Sequence, residues 1–318
     1  MNSSTMYPST LFLTGIPGLE TIQHLIAAPF CFMYLFALIG NTVIVTVITS
    51  TSSLHEPMFI FLSMLALTDV FLCSSIVPKM LGIFWFNFGE INFDTCLFQM
   101  FFIHFFTGVE SGILLAMAFD RYVAICNPLR YTSILTTNLI VKAGIMIVMR
   151  PAVLLAPCPL LIKRFSLYKT NVISHSYCEH MAVVKIVQAD TTINSVYGLF
   201  VVFFVSGLDM FLISLSYVMI FRAVFHLPSK ETHFKAFNTC TPHICVFIML
   251  YMFGLFSFLS HRYGKNIPSY VHIILSDLYL LLPPTLNPMV YGMKTKQIRD
   301  KVVMLIVSQK RFNSMNCP

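Results

Sequence analysis

The sequence has 318 residues, of which only 10% are charged and 57% belong to the apolar set AVILMFWYC. Its mean hydropathy is +0.79. A soluble domain carries about 25% charged residues and needs polar side chains to cover its surface. This composition therefore excludes a soluble enzyme, a disordered chain and a nucleic-acid-binding domain, and it indicates that lipid surrounds most of the chain.

The charged residues divide the chain into seven long apolar stretches, each with at most one interior charge. A membrane-spanning helix needs about 20 mostly apolar residues, and helices satisfy their own backbone hydrogen bonds within lipid. We therefore predict an all-α membrane protein, a bundle of seven transmembrane helices. The predicted spans are roughly 24–49, 58–84, 95–126, 139–161, 192–225, 236–261 and 268–292.

Lysine and arginine residues are distributed unequally between the two sides of the predicted bundle, twelve on one side and six on the other. Positive charges concentrate in cytoplasmic loops, so we expect the N-terminus outside and the C-terminus inside. Asn2 begins a glycosylation sequon, which is consistent with an outer N-terminus. The expected organisation is one receptor domain over 1–318, with an extracellular segment 1–23, a helix bundle 24–292 and a cytoplasmic tail 293–318.

The tail after the seventh span has apolar residues at helical spacing among lysines and arginines, namely Ile298, Val302, Leu305 and Ile306. This pattern predicts a short amphipathic helix on the anionic inner leaflet of the membrane. A solvated basic tail is the alternative.

Sequence motifs occur at the ends and centres of the predicted spans. They are MAFDRYVAIC at 117–126, NPMVY at 287–291, GN at 40–41, LALTD at 65–69, LHEPMF at 54–59, KAFNTC at 235–240 and PPTLNP at 283–288. This combination resembles the odorant receptors among the rhodopsin-like G-protein-coupled receptors. SHSYCEHM at 174–181 and HRYG at 261–264 are similar to the class I, fish-like branch. The resemblance covers nearly the whole chain.

The resemblance implies a plasma-membrane receptor whose partners are a small odorant, a heterotrimeric G protein and the lipid bilayer. By family the G protein is the stimulatory olfactory type, which raises cyclic AMP. A receptor of the same fold for a small metabolite, such as a carboxylic acid in a non-olfactory tissue, is the alternative. An enzyme is not expected because no nucleophile, base and orienting group occur at motif spacing. A transporter would show repeated halves, which the sequence lacks.

Asp120 and Arg121 lie at the predicted cytoplasmic end of the third span, where they can form a local ion pair. Arg121 can exchange that partner for a G-protein surface when the helices move. The alternative is an arginine that only extends to interfacial water. Tyr217 and Tyr291 supply hydroxyl groups to the same region or simply pack there. The expected switch residues are Asp120, Arg121, Tyr122, Tyr217, His243, Asn287, Pro288 and Tyr291.

Asp69 and Glu110 are acidic residues inside the second and third spans, where carboxylates are costly and usually functional. Two interpretations stay open. Either the two carboxylates share a sodium ion, at the position that the resemblance implies for Asp69, or they are neutral and hydrogen-bonded. Asn41 and Asn287 would complete this polar centre. No other cofactor is expected, and no Cys/His cluster has metal-ligand spacing.

The third span presents His104, Thr107, Gly108 and Ser111 on one face, at helical spacing. The resemblance implies that this is the depth of the ligand pocket. The class I resemblance further implies a carboxylate-bearing odorant held by Arg262 and His104, since an arginine fork matches a carboxylate. A solvated loop charge and a packing histidine are the respective alternatives.

The remaining expected ligand contacts come from the second outer loop and from the last three spans. They are Met181, Phe203, Tyr251, Leu255, Phe258 and Asp277. For the apolar wall residues, packing between helices is the alternative. Asp277 stands where class I receptors have a neutral amide. It could pair with Arg262 or favour a less acidic ligand.

Cys96 and Cys178 are the best candidates for a disulfide, because one begins the third span and the other lies in the long loop after the fourth. Tyr168 and Gln188 stand where the resembled family has a second cysteine pair, so we expect that loop to be less constrained. Arg150 and Asp209 lie inside spans, and the sequence assigns them no role.

Overall fold

The structure is a computed structural model, which describes residues 5–6, 8–226, 229–263 and 267–304. Seven helices in these ranges are long and apolar enough to cross a membrane, which confirms the predicted bundle. Helices 1 to 7 are Gln23–Ser50, Pro57–Phe86, Phe93–Cys126, Thr137–Lys163, Thr192–Phe225, Lys230–Tyr263 and Ser269–Lys294. An odd number of crossings places the chain ends on opposite sides, here termed the N-terminal face and the C-terminal face.

A proline interrupts helix 4 and a π turn modifies helix 5, whereas a proline inside helix 6 does not interrupt it. Helix 4 is interrupted at Ala156, between Leu155 and Pro157, because proline has no N–H to continue the helix. Helix 5 contains a π turn over Phe203–Gly207, which inserts one residue and rotates the face that follows. Helix 6 continues through Pro242 without interruption.

Glycines allow helix 1 and helix 3 to approach their neighbours closely. A Cβ atom on Gly40 would lie 2.7 Å from the Cβ of Pro288 in helix 7. A Cβ atom on Gly108 would lie 2.8 Å from the Cβ of Pro151 in helix 4. Small residues at helix contacts are the usual means of tight packing in membranes, so these two positions fix how helices 7 and 4 dock.

The apolar interior forms two main clusters separated by a polar layer. One cluster lies toward the N-terminal face and includes Cys73 and Met100, while the other lies toward the C-terminal face and includes Leu65 and Ile113. Asp69 lies between the clusters in helix 2 and is fully buried. The other buried polar residues of this layer are Asn41, Glu110, Ser111, Asp209 and Asn287.

Within the described ranges, five short strands cover the N-terminal face of the bundle. Strand β2 pairs with β3 in antiparallel and with β5 in parallel orientation, and β1 pairs with β4. The strands are β1 Thr5–Met6, β2 Thr10–Leu13, β3 Glu90–Asn92, β4 Leu167–Tyr168 and β5 Val172–Ile173. The segment before helix 1 is thereby joined to the loops that precede helices 3 and 5.

A disulfide links Cys96 in helix 3 to Cys178 in the loop before helix 5, with an S–S distance of 2.04 Å, which confirms the prediction. The two segments that were expected to be less constrained are joined through the backbone. The amide of Gln188 donates to the carbonyl of Leu167 over 3.0 Å. Tyr168 is fully buried and packs edge-on against Phe93. Backbone pairing and aromatic packing therefore hold this part of the loop.

Beyond helix 7, residues 296–304 are helical, in agreement with the predicted short helix. Ile298 is fully buried and belongs to the same cluster as Tyr291, and Val302 packs against that cluster. The helix is thus anchored to the bundle by its apolar face. Leu305 and Ile306, which were predicted to extend that face, lie outside the described residues.

Candidate functional site

The C-terminal end of helix 3 holds the predicted Asp120–Arg121 pair. The Arg121 Nε lies 3.9 Å from the Asp120 Oδ2, and Asp120 is buried. A stronger partner of Asp120 is Tyr131, whose hydroxyl donates to Oδ1 over 2.8 Å. Tyr131 lies in the short helix Tyr131–Ile134 that precedes helix 4. Burial, reinforced by the hydrogen bond to Asp120, raises the pKa of Tyr131. This residue was not predicted from the sequence.

A chain of hydrogen bonds links helices 5, 6 and 3 near the same end of the bundle. The His243 Nε2 lies 2.9 Å from the carbonyl oxygen of Leu114, which can only accept, so Nε2 carries the proton. The Nδ1 atom is then the acceptor for the Tyr217 hydroxyl, which lies 2.5 Å away. His243 is fully buried, and this chain fixes its tautomer as the neutral Nε2–H form.

Two of the predicted switch tyrosines are placed differently. Tyr291 is buried, and its hydroxyl has no hydrogen-bond partner within the part of the chain that the structure describes. Tyr122 is half-buried and lines an apolar groove between helices 3, 4 and 5, beside Leu139 and Leu215. Tyr291 is therefore available for a rearrangement inside the bundle, whereas Tyr122 lies in the groove between helices 3, 4 and 5.

A cavity of about 1110 Å³ opens around Arg121 at the C-terminal face. Its lining includes Asp120, Arg121, His243 and Tyr291. Four of the predicted switch residues thus surround one opening that can admit a segment of another protein.

The polar centre of the bundle brings together the predicted residues of helices 1, 2 and 7. The Asn287 Nδ2 donates to the Asp69 Oδ2 over 2.8 Å. The Asn41 Nδ2 donates to the carbonyl of Pro284 over 2.9 Å. Four buried oxygens have no hydrogen-bond partner among the described residues, and they are Asn41 Oδ1, Asp69 Oδ1, Glu110 Oε1 and Asn287 Oδ1.

This set of oxygens fits a small hard cation, because Na⁺, like Ca²⁺ and Mg²⁺, is bound by carboxylate and amide oxygens. It equally fits protonated carboxyl groups that donate to a neighbouring oxygen. No group of three or more His, Cys, Asp or Glu residues in the described ranges is arranged to hold a metal ion. Pro288, the remaining switch residue of helix 7, is buried against Gly40 and fixes the packing beside this centre.

Arg150 and Asp209, which the sequence left without a role, form an intramembrane ion pair between helices 4 and 5. The Arg150 Nη1 donates to the Asp209 Oδ1 over 2.7 Å, and Nη2 donates to Oδ2. Ser111 in helix 3 donates to the same Oδ2 over 2.8 Å, and its oxygen lies 2.6 Å from the Tyr251 hydroxyl in helix 6. Because Ser111 has one proton, Tyr251 is the donor to Ser111.

This four-residue network of Arg150, Asp209, Ser111 and Tyr251 connects helices 3, 4, 5 and 6 in the polar layer. The sequence contained a signal for it. Opposite charges inside two apolar spans are stable only when they pair, and Arg150 and Asp209 are such a pair. Ser111 and Tyr251, both predicted as ligand contacts, are engaged in the network by their hydroxyl groups.

The upper part of the predicted helix 3 face is divided between packing and polar contacts. Gly108 packs against Pro151, and the Thr107 hydroxyl donates to the carbonyl of Ile103 in its own helix over 2.8 Å. The His104 ring lies 6.5 Å from the ring of His180, nearly perpendicular to it. The His104 Nε2 is buried and has no partner among the described side chains. His180 is a further candidate that was not predicted from the sequence.

The predicted apolar wall is only partly brought together. Phe203 is 62% exposed and Leu255 is 40% exposed, so both lie at the outer surface of the bundle. The inner face of helix 5 is occupied instead by Val201 and Val205, on either side of Phe203. Met181 is half-buried in the short helix His180–Lys185. The side chains of Phe258 and Arg262, and the sequon residue Asn2, lie outside the described residues.

Asp277 in helix 7 is fully buried and is held by the loop before helix 5. The Ser176 hydroxyl donates to the Asp277 Oδ1 over 2.5 Å. The second oxygen, Oδ2, has no partner in the described part of the chain. The predicted pairing with Arg262 lies outside the described side chains. The observed contact joins helix 7 to the loop that carries the disulfide.

Comparison with known proteins agrees with these features. The family model described as "Olfactory receptor" matches residues 30–310. The chain is 58% identical to human olfactory receptor 52A1 over 308 residues, which are 96% of this chain and 99% of the relative. It is 56% identical to human olfactory receptor 52A5, over 97% of this chain and 98% of the relative. The chain therefore belongs to the olfactory receptor family of G-protein-coupled receptors and is a multi-pass plasma-membrane odorant receptor, not an enzyme.

Proposed function

We propose that this receptor binds its odorant in the half of the bundle next to the N-terminal face and raises cyclic AMP through a stimulatory G protein at the C-terminal face. The observation that carries the proposal is the network through Ser111 and Tyr251. Helix 6 holds Tyr251 in this network and His243 in the chain to Tyr217. A ligand that displaces Tyr251 therefore acts on the same rigid helix that lines the cavity around Arg121.

The N-terminal face is proposed to be the extracellular one. Twelve lysines and arginines lie in the loops and tail of the opposite side, against six on this side. The disulfide between Cys96 and Cys178 also lies at the N-terminal face, and disulfides persist in oxidising, extracellular surroundings.

The proposed ligand is a small carboxylate-bearing odorant, held by His104 and Arg262. The buried and unpartnered Nε2 of His104 supports this assignment, since such a group is stabilised by a ligand hydrogen bond. The SHSYCEHM and HRYG motifs of the class I branch support it from the sequence. The Asp277 Oδ2, which has no partner among the described residues, would instead select for a ligand that donates a hydrogen bond. Receptor responses to a matched set of acids, alcohols and amines distinguish a carboxylate-bearing ligand from a ligand that donates a hydrogen bond.

The proposed switch uses bonds that cross between helices. Movement of Tyr251 breaks its hydrogen bond to Ser111, and helix 6 then moves outward at its C-terminal-face end. This movement separates His243 from Tyr217 and opens the cavity around Arg121. The long 3.9 Å contact between Arg121 and Asp120 is easily exchanged for a contact with the G protein.

Sodium is proposed to bind in the polar centre and to favour the inactive arrangement. Its ligands would be oxygens of Asp69, Glu110, Asn41 and Asn287, each of which has an unpartnered buried oxygen within the described ranges. Replacing sodium by choline should then lower the thermal stability of the unliganded receptor. Asp69→Asn should remove that sodium dependence. Equal stability in both salts would leave the protonated arrangement as the explanation.

The function is tested with a cyclic AMP reporter in cells that express the full chain. Arg121→Ala should abolish the odorant response at equal surface expression, while Arg130→Ala, an exposed basic residue outside the switch, should retain it. Arg262→Ala should abolish the response to acids selectively. A full response from the Arg121→Ala receptor would contradict the proposed switch. Staining of an N-terminal tag on intact cells measures surface expression and tests the orientation.

A further inference from the structure

Asn194 is a buried amide that makes no hydrogen bond within the described part of the chain. It lies in the first turn of helix 5 and is 1% exposed. Neither its Oδ1 nor its Nδ2 has a partner there. Buried amides are nearly always hydrogen-bonded because an unmet donor or acceptor costs free energy. A side chain with both groups unmet in this position requires an explanation.

The inner face of helix 5 carries Asn194, Gly198, Val201 and Val205 at spacings of three and four residues. A Cβ atom on Gly198 would lie 3.0 Å from the Cε1 of His180, so this face contacts the loop that precedes helix 5. Val205 lies 3.4 Å from the Cβ position of Gly108 in helix 3. Asn194 therefore lies at the N-terminal-face end of the helix 5 face that packs against His180 and helix 3.

The depths of these groups follow from helix geometry. Val205 in helix 5 and Gly108 in helix 3 are in contact and therefore lie at one depth. Val201 is four residues nearer the N-terminal face in helix 5, and His104 is four residues nearer in helix 3. Val201 and His104 are therefore at a similar depth. Asn194 is seven residues further along helix 5, about 10 Å nearer the N-terminal face at 1.5 Å per residue. His180 lies between, with its ring 6.5 Å from that of His104. Asn194 is thus the outermost polar group of this column.

We propose that Asn194 is a ligand-binding residue that recognises a neutral group with a donor and an acceptor side by side. A primary carboxamide and an un-ionised carboxyl group are such groups. The ligand carbonyl accepts from the Asn194 Nδ2, and the ligand N–H or O–H donates to Oδ1, so one ligand group satisfies both unmet atoms. The buried Val201 and Val205 then contact the apolar chain of the ligand. The inference rests on the proposed pocket and adds a second anchor to it.

The test compares two probes with the same apolar chain, octanamide and methyl octanoate. The amide both donates and accepts, whereas the ester only accepts. Binding to the full-length receptor in lipid nanodiscs is measured from the ligand-induced shift in melting temperature. We expect the wild-type receptor to bind octanamide roughly tenfold more tightly than the ester, because the ester leaves Oδ1 unmet.

Asn194→Leu keeps the size of the side chain and removes both polar groups. It should bind the two probes with similar affinity, and its unliganded melting temperature should equal or exceed that of the wild type, since no amide is left unmet. Val196→Leu is the control, since the Val196 side chain is 60% exposed on the same helix. This variant should retain the wild-type preference. A merely structural asparagine would instead lower the unliganded melting temperature when replaced.

Four results would overturn the inference: no binding of octanamide by the wild type, equal binding of both probes by the wild type, an unchanged preference in Asn194→Leu, or an unliganded melting temperature of Asn194→Leu below that of the wild type. Binding of octanamide with the expected preference, but with no cyclic AMP response to any probe, would contradict the proposed signalling and leave the assignment of Asn194 supported.

Discussion

The ion pair between Arg150 and Asp209 should make the largest single polar contribution to the stability of the bundle. Asp209→Leu removes the carboxylate that both guanidinium nitrogens and Ser111 contact. The arginine is then left inside the membrane without its counter-charge. The leucine fills a similar volume, so the loss measures the charge rather than a cavity.

The magnitude follows from the burial of the two partners. Asp209 is fully buried, whereas 20% of the Arg150 side chain is exposed. Removing one partner of a fully buried pair costs roughly 3–5 kcal/mol. Because Arg150 is partly exposed and can shift toward polar surroundings, we expect the lower end of that range, about 3 kcal/mol.

The assay is the unfolding of purified receptor in mixed micelles titrated with a denaturing detergent. The double substitution Arg150→Met with Asp209→Leu serves as the control, since it removes both charges and keeps the volume. Replacing a whole buried pair by apolar residues is often nearly neutral, so the double variant should recover most of the stability that Asp209→Leu loses. Asp209→Asn should lie between, because it still accepts from Ser111.

Additive losses of stability in the single and double variants would contradict this prediction. If the double variant is less stable than Asp209→Leu by the full cost of Arg150→Met alone, the two residues do not interact energetically. The contact between Arg150 and Asp209 would then contribute nothing beyond the packing of each side chain. A loss below about 1 kcal/mol for Asp209→Leu would mean that the pair behaves like an exposed one.

Two further substitutions test contacts elsewhere in the bundle. Tyr131→Phe removes the hydroxyl that donates to Asp120. Basal cyclic AMP should rise roughly two- to tenfold, which is the change in an equilibrium constant that corresponds to one hydrogen bond. An unchanged basal signal would contradict this expectation. Gly40→Ala places a Cβ atom 2.7 Å from that of Pro288 and should reduce surface expression. Gly82→Ala is the control and should not reduce it, because no atom lies within 4 Å of its new Cβ. Equal surface expression of the two variants would show that helices 1 and 7 can separate without cost.

The features that are determined by the membrane environment were predictable from the sequence. Seven spans follow from charge spacing, because a charged residue is costly in hydrocarbon whatever its neighbours are. The disulfide between Cys96 and Cys178 followed from the position of each cysteine relative to the spans. Each of these inferences depends only on where single residues lie along the chain relative to the membrane. None of them requires knowledge of how the helices are rotated.

The features that depend on helix rotation were not predictable in the same way. Phe203 was expected to face the interior, but Val201 and Val205 are the buried residues there. Phe203 lies two residues from Val201, about 200° around the helix at 3.6 residues per turn, and therefore faces outward. The pairing of Arg150 with Asp209 depends on the facing sides of helices 4 and 5, which no spacing within either helix determines. The short strands of the N-terminal face have two to four residues each, too few to show a pattern of alternation.

The polar layer explains why helix 3 connects the two halves of the bundle. Glu110 belongs to the centre shared with helices 1, 2 and 7, while Ser111 belongs to the network shared with helices 4, 5 and 6. The two residues are adjacent, so they project about 100° apart at 3.6 residues per turn. A rotation of helix 3 that lengthens one set of contacts necessarily alters the other. In the proposed mechanism, an odorant at Tyr251 and a cation near Asp69 would therefore act on one rigid element, helix 3, which carries Asp120 and Arg121 near its C-terminal end.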